Sequence, residues 1–396
     1  MDITIKPRHL RGDLTVIPSK SMAHRMLICA AFADKPTQLI CPESNRDIDA
    51  TADCLVSLGA QILRTESGFS VFPGKELPKE AILNCRDSGS TLRFLLPVAG
   101  ALGVDATFQM EGRLPQRPLS PLWEEMERMG CSLSRPTADT IRCTGKLKPG
   151  AYSVSGSVSS QYITGLLLAL SLMDQPSSLE ITGKIESAPY IQMTKEVLSL
   201  FGSDPEQPGT QEFHSPGYLT VEGDWSNGAF WMAANQLDSD LLVSGLNFDS
   251  CQGDRAVMGI LPLLEARCPT VSAADIPDLV PILSVVAAAK HGAVFTDIQR
   301  LRLKESDRVA SVIAMIEALG GTAWATEDTL TVGGTGLTDG TVDSCNDHRI
   351  AMSAAIAATV CKEAVTILVA ECVEKSYPKF WEEYSRLGGN YEQYLR

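Results

Sequence analysis

Residues 87–130 read DSGSTLRFLLPVAGALGVDATFQMEGRLPQRPLSPLWEEMERMG, and the two unlike helices in this stretch decide the fold. The first, "DSGSTLRFLLPVAGALG", opens on polar residues and is then apolar all round, so it is buried. The second, "LWEEMERMG", keeps a polar face and belongs outside it. It stops at Gly130, the expected position of a left-handed C-cap, and a β-rich segment follows.

The same stop recurs in "TADCLVSLGA" at Gly59, "KEVLSLFGS" at Gly202, "MIEALGG" at Gly320 and "WEEYSRLGG" at Gly388. A weaker copy, "MGILPLLEARC", ends near Arg267 without a glycine. Between these lie further helices of the buried kind: "SKSMAHRMLICAAFAD", "SSQYITGLLLALSLM", "DWSNGAFWMAANQL", "IPDLVPILSVVAAAKHG" and "NDHRIAMSAAIAATVC". The two kinds alternate strictly, six of each, at spacings of roughly 55–70 residues, which is an internal repeat. "GAYSVSG", "SLEITG" and "TLTVGGTG" read as short strands and turns. The expected fold is α/β: six units of strand–helix–strand–helix–strands, three in each of two domains.

Bulk properties agree. A chain of 396 residues exceeds one ordinary core, and 44% hydrophobic with 21% charged residues is ordinary for a globular protein. Apolar runs such as "ITGLLLALSLM" fall short of the roughly 20 residues of a membrane span. "MDITIKPRHLRGDLTV" has no apolar signal core, and the 11 cysteines form no CxxC pair; both point to reduced thiols in a cytoplasm. A net charge of −14 argues against nucleic acid or an anionic membrane as partner.

The polar residues gather where helices begin. The buried helices open on Lys20 and Ser21, Asp87 to Ser90, Ser159 to Gln161, Asp224, Asp278, and Asn346 to Arg349. Outer helices open near Arg117, Ser187 to Tyr190, Lys304 to Arg308, and Lys375. Capping accounts for one Ser or Asp per helix, and Ser306 would serve for "KESDR". It does not account for Lys20, Arg25, Arg93, Arg117, Lys304, Arg308, Arg349 and Lys375 at positive helix ends, where a cation is unfavourable unless an anion intervenes. In an acidic protein this implies a small, strongly anionic ligand. Other motifs fail: "ITGKIES" lacks a P-loop's upstream glycine, "GGTGLTDG" misses the dinucleotide fingerprint, and no HExxH occurs.

In this order, "PSKSMAHR", "DSGSTLRF", "LPQRPL", "SSQYITGLL", "ESAPYIQMT", "EGDWSNGAF", "IPDLVPIL", "RLKESDR", "NDHRIAM" and "EKSYPKFW" resemble the motifs of the 5-enolpyruvylshikimate-3-phosphate synthase family from end to end. The resemblance implies an inside-out α/β barrel in two domains of three βαβαββ units facing a cleft, about 1–16 plus 224–396 and 17–223. It implies transfer of the enolpyruvyl group of phosphoenolpyruvate to the 5-hydroxyl of shikimate 3-phosphate, with no cofactor or metal, in a monomer. Lys20, Ser21, Arg25, Ser159, Ser160, Gln161, Ser187, Asp278 and Lys304 would hold shikimate 3-phosphate, with Tyr190 under its ring. Lys20, Gly89, Arg117, Gln161, Arg308, Arg349 and Lys375 would hold phosphoenolpyruvate. Asp278 is the implied base, and Glu305 and Lys20 are the proton-donor candidates. His348 either bridges to Glu305 or the phosphate, or caps its helix.

A carboxylate among cations has a depressed pKa, which suits a base better than an acid. Arg300 stands where many relatives have Asn, and Phe94 where proline is frequent. The same resemblance makes the herbicide glyphosate an expected inhibitor, with Gly89 leaving room for its phosphonate. The enolpyruvyl transferase acting on UDP-N-acetylglucosamine is the nearest rival, but its loop cysteine has no counterpart in "GRLPQRPLSP". A scaffold that had lost activity would have no need of Asp278, Glu305 and Lys20 together.

Overall fold

The computed structural model describes residues 1–209 and 211–394. It divides into two compact units, Pro18–Glu222 and Met1–Ile17 with Gly223–Arg396.

In the unit Pro18–Glu222, buried and outer helices alternate: α1 (Lys20–Ala31), α2 (Arg46–Ser57), α3 (Gly89–Leu102), α4 (Leu122–Arg128), α5 (Ser160–Ser171) and α6 (Ala188–Leu200). The odd-numbered helices are buried almost throughout; in α1 every residue from 22 to 31 is buried. α3 and α5 lie against one another. Pro97 inside α3 has no N–H to donate to the carbonyl of Arg93, and α5 passes close beside that carbonyl. Gly165 of α5 makes the approach possible, since a Cβ there would stand 2.2 Å from the Arg93 oxygen and 2.9 Å from the Pro97 ring.

The other unit repeats the alternation with α7 (Trp225–Gln236), α8 (Val257–Ala266), α9 (Val280–Ala289), α10 (Arg308–Ala318), α11 (His348–Ala357) and α12 (Phe380–Arg386). Here α7, α9 and α11 pack on one another as the core. The expected glycine stops at Gly59, Gly130, Gly202, Gly320 and Gly388 all have positive φ, between 75° and 113°. Arg267, at the end of α8, is extended instead.

The sheets show the repeat and where it is cut short. Among the described residues, four have four strands in one order: a parallel pair, then an antiparallel hairpin. In the plainest, Glu80–Asn84 pairs in parallel with Asp105–Gln109, to which Thr140–Gly145 and Cys131–Ser134 add antiparallel. In the last, the N-terminal strand Asp2–Lys6 supplies half of the hairpin beside Asn390–Tyr394. The third and fourth units depart from the expected βαβαββ pattern. Among the described residues Ala151–Ser155 pairs only with Ser178–Thr182, and Arg11–Thr15 only with Asp240–Ser244. After α6 the chain carries Pro205, Pro208 and Pro216, which cannot donate to a ladder. After α8 it passes from Arg267 to the next unit's strand, Thr270–Ser272, leaving no length for a hairpin.

Candidate active site

In the unit carrying α7–α12, the ends of three helices build one ion cluster. Arg308 is the first residue of α10 and is buried. Its Nη1 donates to Asp278 Oδ1 at 2.5 Å, Nη2 to Glu305 Oε2 at 2.8 Å and Nε to Asp347 Oδ2 at 2.9 Å. Asp347 caps α11, accepting from the Arg349 amide at 3.0 Å, and also takes the Ser306 hydroxyl at 3.0 Å. Arg349 Nη2 donates to Asp278 Oδ2 at 3.3 Å, and Lys304 Nζ stands 3.8 Å from Asp278 Oδ1. Asp278 thus faces three cations.

Partial burial pushes the Asp278 carboxyl up, but the charges of Arg349, Lys304 and Arg308 together hold it well below the usual carboxylate range. Burial lowers Lys304 to about 8 despite Asp278 beside it. Burial works against the charge of Arg308 too, yet Asp347, Glu305 and Asp278 keep its pKa above the ordinary arginine value.

Three sequence expectations change here. The cap of α10 is Asp307, whose carboxylate accepts from Val309 N and Ala310 N, and Ser306 instead braces Asp347. His348 does not cap α11: it is the buried first residue after the Asp347 cap, its ring 3.9 Å from the Asp347 carboxylate. Arg117, Lys304 and Lys375 do not lie in first helical turns. Arg117 ends the 3-10 turn Leu114–Gln116, Lys304 ends Gln299–Leu303, and Lys375 is the last residue of Ala370–Lys375. The cations of this cluster also have anions already in place, namely Asp278, Glu305 and Asp347.

The unit Pro18–Glu222 gathers a second set. Lys20 opens α1 and forms an ion pair with Asp47 at 2.8 Å. Asp47 is buried in the first turn of α2, held by the Asn45 cap, which accepts from Asp47 N and Ile48 N. Gly89 opens α3 under two guanidinium groups, since a Cβ there would lie 2.7 Å from both Arg117 Nη1 and Arg93 Nη1. Arg93 donates to Gln161 Oε1 at 2.9 Å, and Gln161 Nε2 to Ser90 Oγ at 3.0 Å, so the starts of α3 and α5 are tied together. Ser159 caps α5, and Ser160 is buried beside it.

Arg25 is buried and ties α1 to α5 and α6. It donates to the Ser21 and Tyr190 carbonyls and to the Thr164 and Thr194 hydroxyls, with Phe94 5.1 Å under its guanidinium. Ser187 precedes α6 with a left-handed φ of 56°, and Asn346, ahead of Asp347, has 55°. Such strained non-glycine residues gather at functional sites. Sequence reasoning missed Asp47, because an acid in a first helical turn reads as a dipole or capping residue.

Comparisons with known proteins identify the family. The family described as EPSP synthase (3-phosphoshikimate 1-carboxyvinyltransferase) matches residues 5–270 and 264–384. The 3-phosphoshikimate 1-carboxyvinyltransferase of Clostridium kluyveri is 36% identical over 419 residues, spanning 99% of this chain and 98% of that protein. That of Clostridium acetobutylicum is 35% identical, with 99% and 98% covered. Among solved structures, an EPSP synthase from Acinetobacter baumannii superposes with a TM-score of 0.80 at 21% identity, covering 99% of this chain and 100% of that one. An enolpyruvyl transferase from Streptomyces tendae gives 0.76 at 17% identity, covering 99% and 98%.

Proposed function

The chain belongs to the EPSP synthase family, and from that premise we propose how its residues share the family's reaction. It transfers the carboxyvinyl group of phosphoenolpyruvate to the 5-hydroxyl of shikimate 3-phosphate and releases phosphate, a step of the shikimate pathway to aromatic amino acids.

The observation that carries the residue assignment is the triple pairing of Asp278 with Lys304, Arg308 and Arg349. A carboxylate so placed is ionised at any physiological pH and can accept a proton. Addition forms a bond between O5 of shikimate 3-phosphate and C2 of phosphoenolpyruvate. The O5 proton passes to Asp278, and a proton reaches the enol methylene from Glu305 or Lys20. Elimination then removes a proton from the new methyl group and breaks the C2–O bond to phosphate.

Arg308, Arg349, Arg117, Lys375, Lys20, Gly89 and Gln161 hold phosphoenolpyruvate in this reading. Ser21, Arg25, Ser159, Ser160, Gln161, Ser187, Tyr190, Lys20, Asp278 and Lys304 hold shikimate 3-phosphate. His348, its ring 3.9 Å from the Asp347 carboxylate, bridges to Glu305 or the phosphate in this reading. Because the cations of the Asp278 cluster already have carboxylate partners, an anionic substrate competes with those carboxylates for Arg308 and Arg349. We read the protein as a monomer of the cytoplasm; all 11 cysteines are free thiols, which suits a reducing compartment.

Purified protein should release phosphate only when phosphoenolpyruvate and shikimate 3-phosphate are both present. Release with UDP-N-acetylglucosamine in place of shikimate 3-phosphate would overturn the assignment.

A further inference from the structure

Beside the Asp278 cluster lies a buried carboxyl that the reaction as described leaves unused. Asp254 sits in the 3-10 turn Gly253–Ala256 and is 3% exposed. Gln252, one residue before that turn, fastens it to the start of α7, accepting from Trp225 N at 3.1 Å and donating to the Gly223 carbonyl at 2.9 Å. One Asp254 oxygen, Oδ2, accepts from the Ser226 hydroxyl. The other, Oδ1, is buried and has no hydrogen-bond partner among the described residues.

The charged groups facing it are Arg349 at the start of α11, Asp278 ahead of α9 and Asp224 ahead of α7. Arg349 is equally buried. It spends Nη2 on Asp278 and leaves Nε and Nη1 without a partner among the described residues. A buried carboxylate within the field of a buried guanidinium that has two open donors would be expected to pair with it. Asp254 does not, which is the behaviour of a neutral carboxyl. Burial first, and the negative charge of Asp278 second, accordingly push Asp254 up to about 7.

We propose that Asp254 is a positioning residue that sets how strongly Arg349 holds the anionic end of phosphoenolpyruvate. As a neutral carboxyl it leaves Nε and Nη1 open to the substrate anion; as a carboxylate it competes for them. The inference rests on the assignment of Arg349 to phosphoenolpyruvate. No bond to carbon or phosphorus changes, and the Asp254 proton exchanges with solvent.

The test is the KM for phosphoenolpyruvate at saturating shikimate 3-phosphate between about pH 6.5 and about pH 8.5. It is measured in the wild type, Asp254→Asn, Ser226→Ala and Arg349→Gln. The KM of the wild type should rise across this range by about tenfold more than that of Asp254→Asn, the scale of one carboxylate charge opening near the anion. Comparing the two cancels the substrate's own ionisation. Ser226→Ala removes a hydrogen bond that favours the Asp254 carboxylate, so the rise should move to higher pH. A purely structural role would shift KM by the same factor at every pH.

If Arg349→Gln leaves the KM within about twofold, the assignment of Arg349 falls and the proposal with it. If Arg349→Gln raises the KM while both other profiles run parallel to the wild type, the role of Asp254 alone is refuted. Should Asp254→Asn fail to fold, Ser226→Ala decides: an unshifted profile refutes the proposal.

Discussion

Gly89→Ala isolates the geometry of the proposed anion site. Gly89 opens α3 without a left-handed φ, so its backbone accepts an alanine. The new methyl, however, would lie 2.7 Å from Arg117 Nη1 and 2.7 Å from Arg93 Nη1. Ordinary contact begins at 3.4 Å, so both guanidinium groups must withdraw by about 0.7 Å. They are the ends of flexible side chains, and folding should lose little. The cost falls on binding: Arg117 leaves its place, and the Arg93 bonds to Gln161 at 2.9 Å and to the Pro118 carbonyl at 3.2 Å are distorted. Weakening one or two hydrogen bonds to a charged substrate group is worth about 1.5–3 kcal/mol, or about 10- to 100-fold. Steady-state kinetics should show that rise in KM for phosphoenolpyruvate, with a far smaller change for shikimate 3-phosphate. The inhibition constant of glyphosate should rise at least as much. A folded variant whose KM for phosphoenolpyruvate stays within about twofold would refute the assignment of Gly89 and Arg117.

Asp278→Asn keeps the shape but loses the base and its pair with Arg308, so turnover should fall by about 10²-fold or more in a protein shown to be folded by thermal melting. Turnover within a few-fold of wild type would remove Asp278 from its role. Asp254 carries a stability signature of its own: its native pKa of about 7 lies above the unfolded value of about 3.9, so its contribution is complete below about pH 4 and is lost as pH rises through 7. Asp254→Asn should therefore gain up to about 4 kcal/mol on the wild type in urea unfolding between pH 4 and pH 8, at about 1.4 kcal/mol for each unit of pKa difference; a difference independent of pH would show that Asp254 is not held neutral.

The architecture was legible because it rests on local rules. Helices apolar all round became α1, α3, α5, α7, α9 and α11, and each Leu-Gly stop became a left-handed glycine. The two missing hairpins had signals that periodicity overrode, namely the prolines after α6 and the short passage after Arg267. Lys20, Arg25, Arg93, Arg308 and Arg349 were legible for the same local reason, as charges at the wrong end of a helix, whereas Arg117, Lys304 and Lys375 end 3-10 turns instead. Two of their carboxylate partners were not. Asp47 lies 27 residues from Lys20 and Asp347 lies 39 from Arg308, and nothing in sequence separates such an acid from an ordinary cap. Asp254 was hidden still further, since its burial comes from the packing of its turn on α7.

The reaction run in deuterium oxide and followed by phosphorus and proton resonance is the most direct test of addition followed by elimination with Asp278 as base. Wild-type protein with phosphoenolpyruvate and shikimate 3-phosphate should yield the enolpyruvyl ether and inorganic phosphate in equal amounts, with deuterium in the product's methylene, because addition makes a methyl group from which elimination takes back a hydrogen. Asp278→Asn should yield almost none of these in the same time. Phosphate without the ether, or an ether formed without deuterium, would contradict the account.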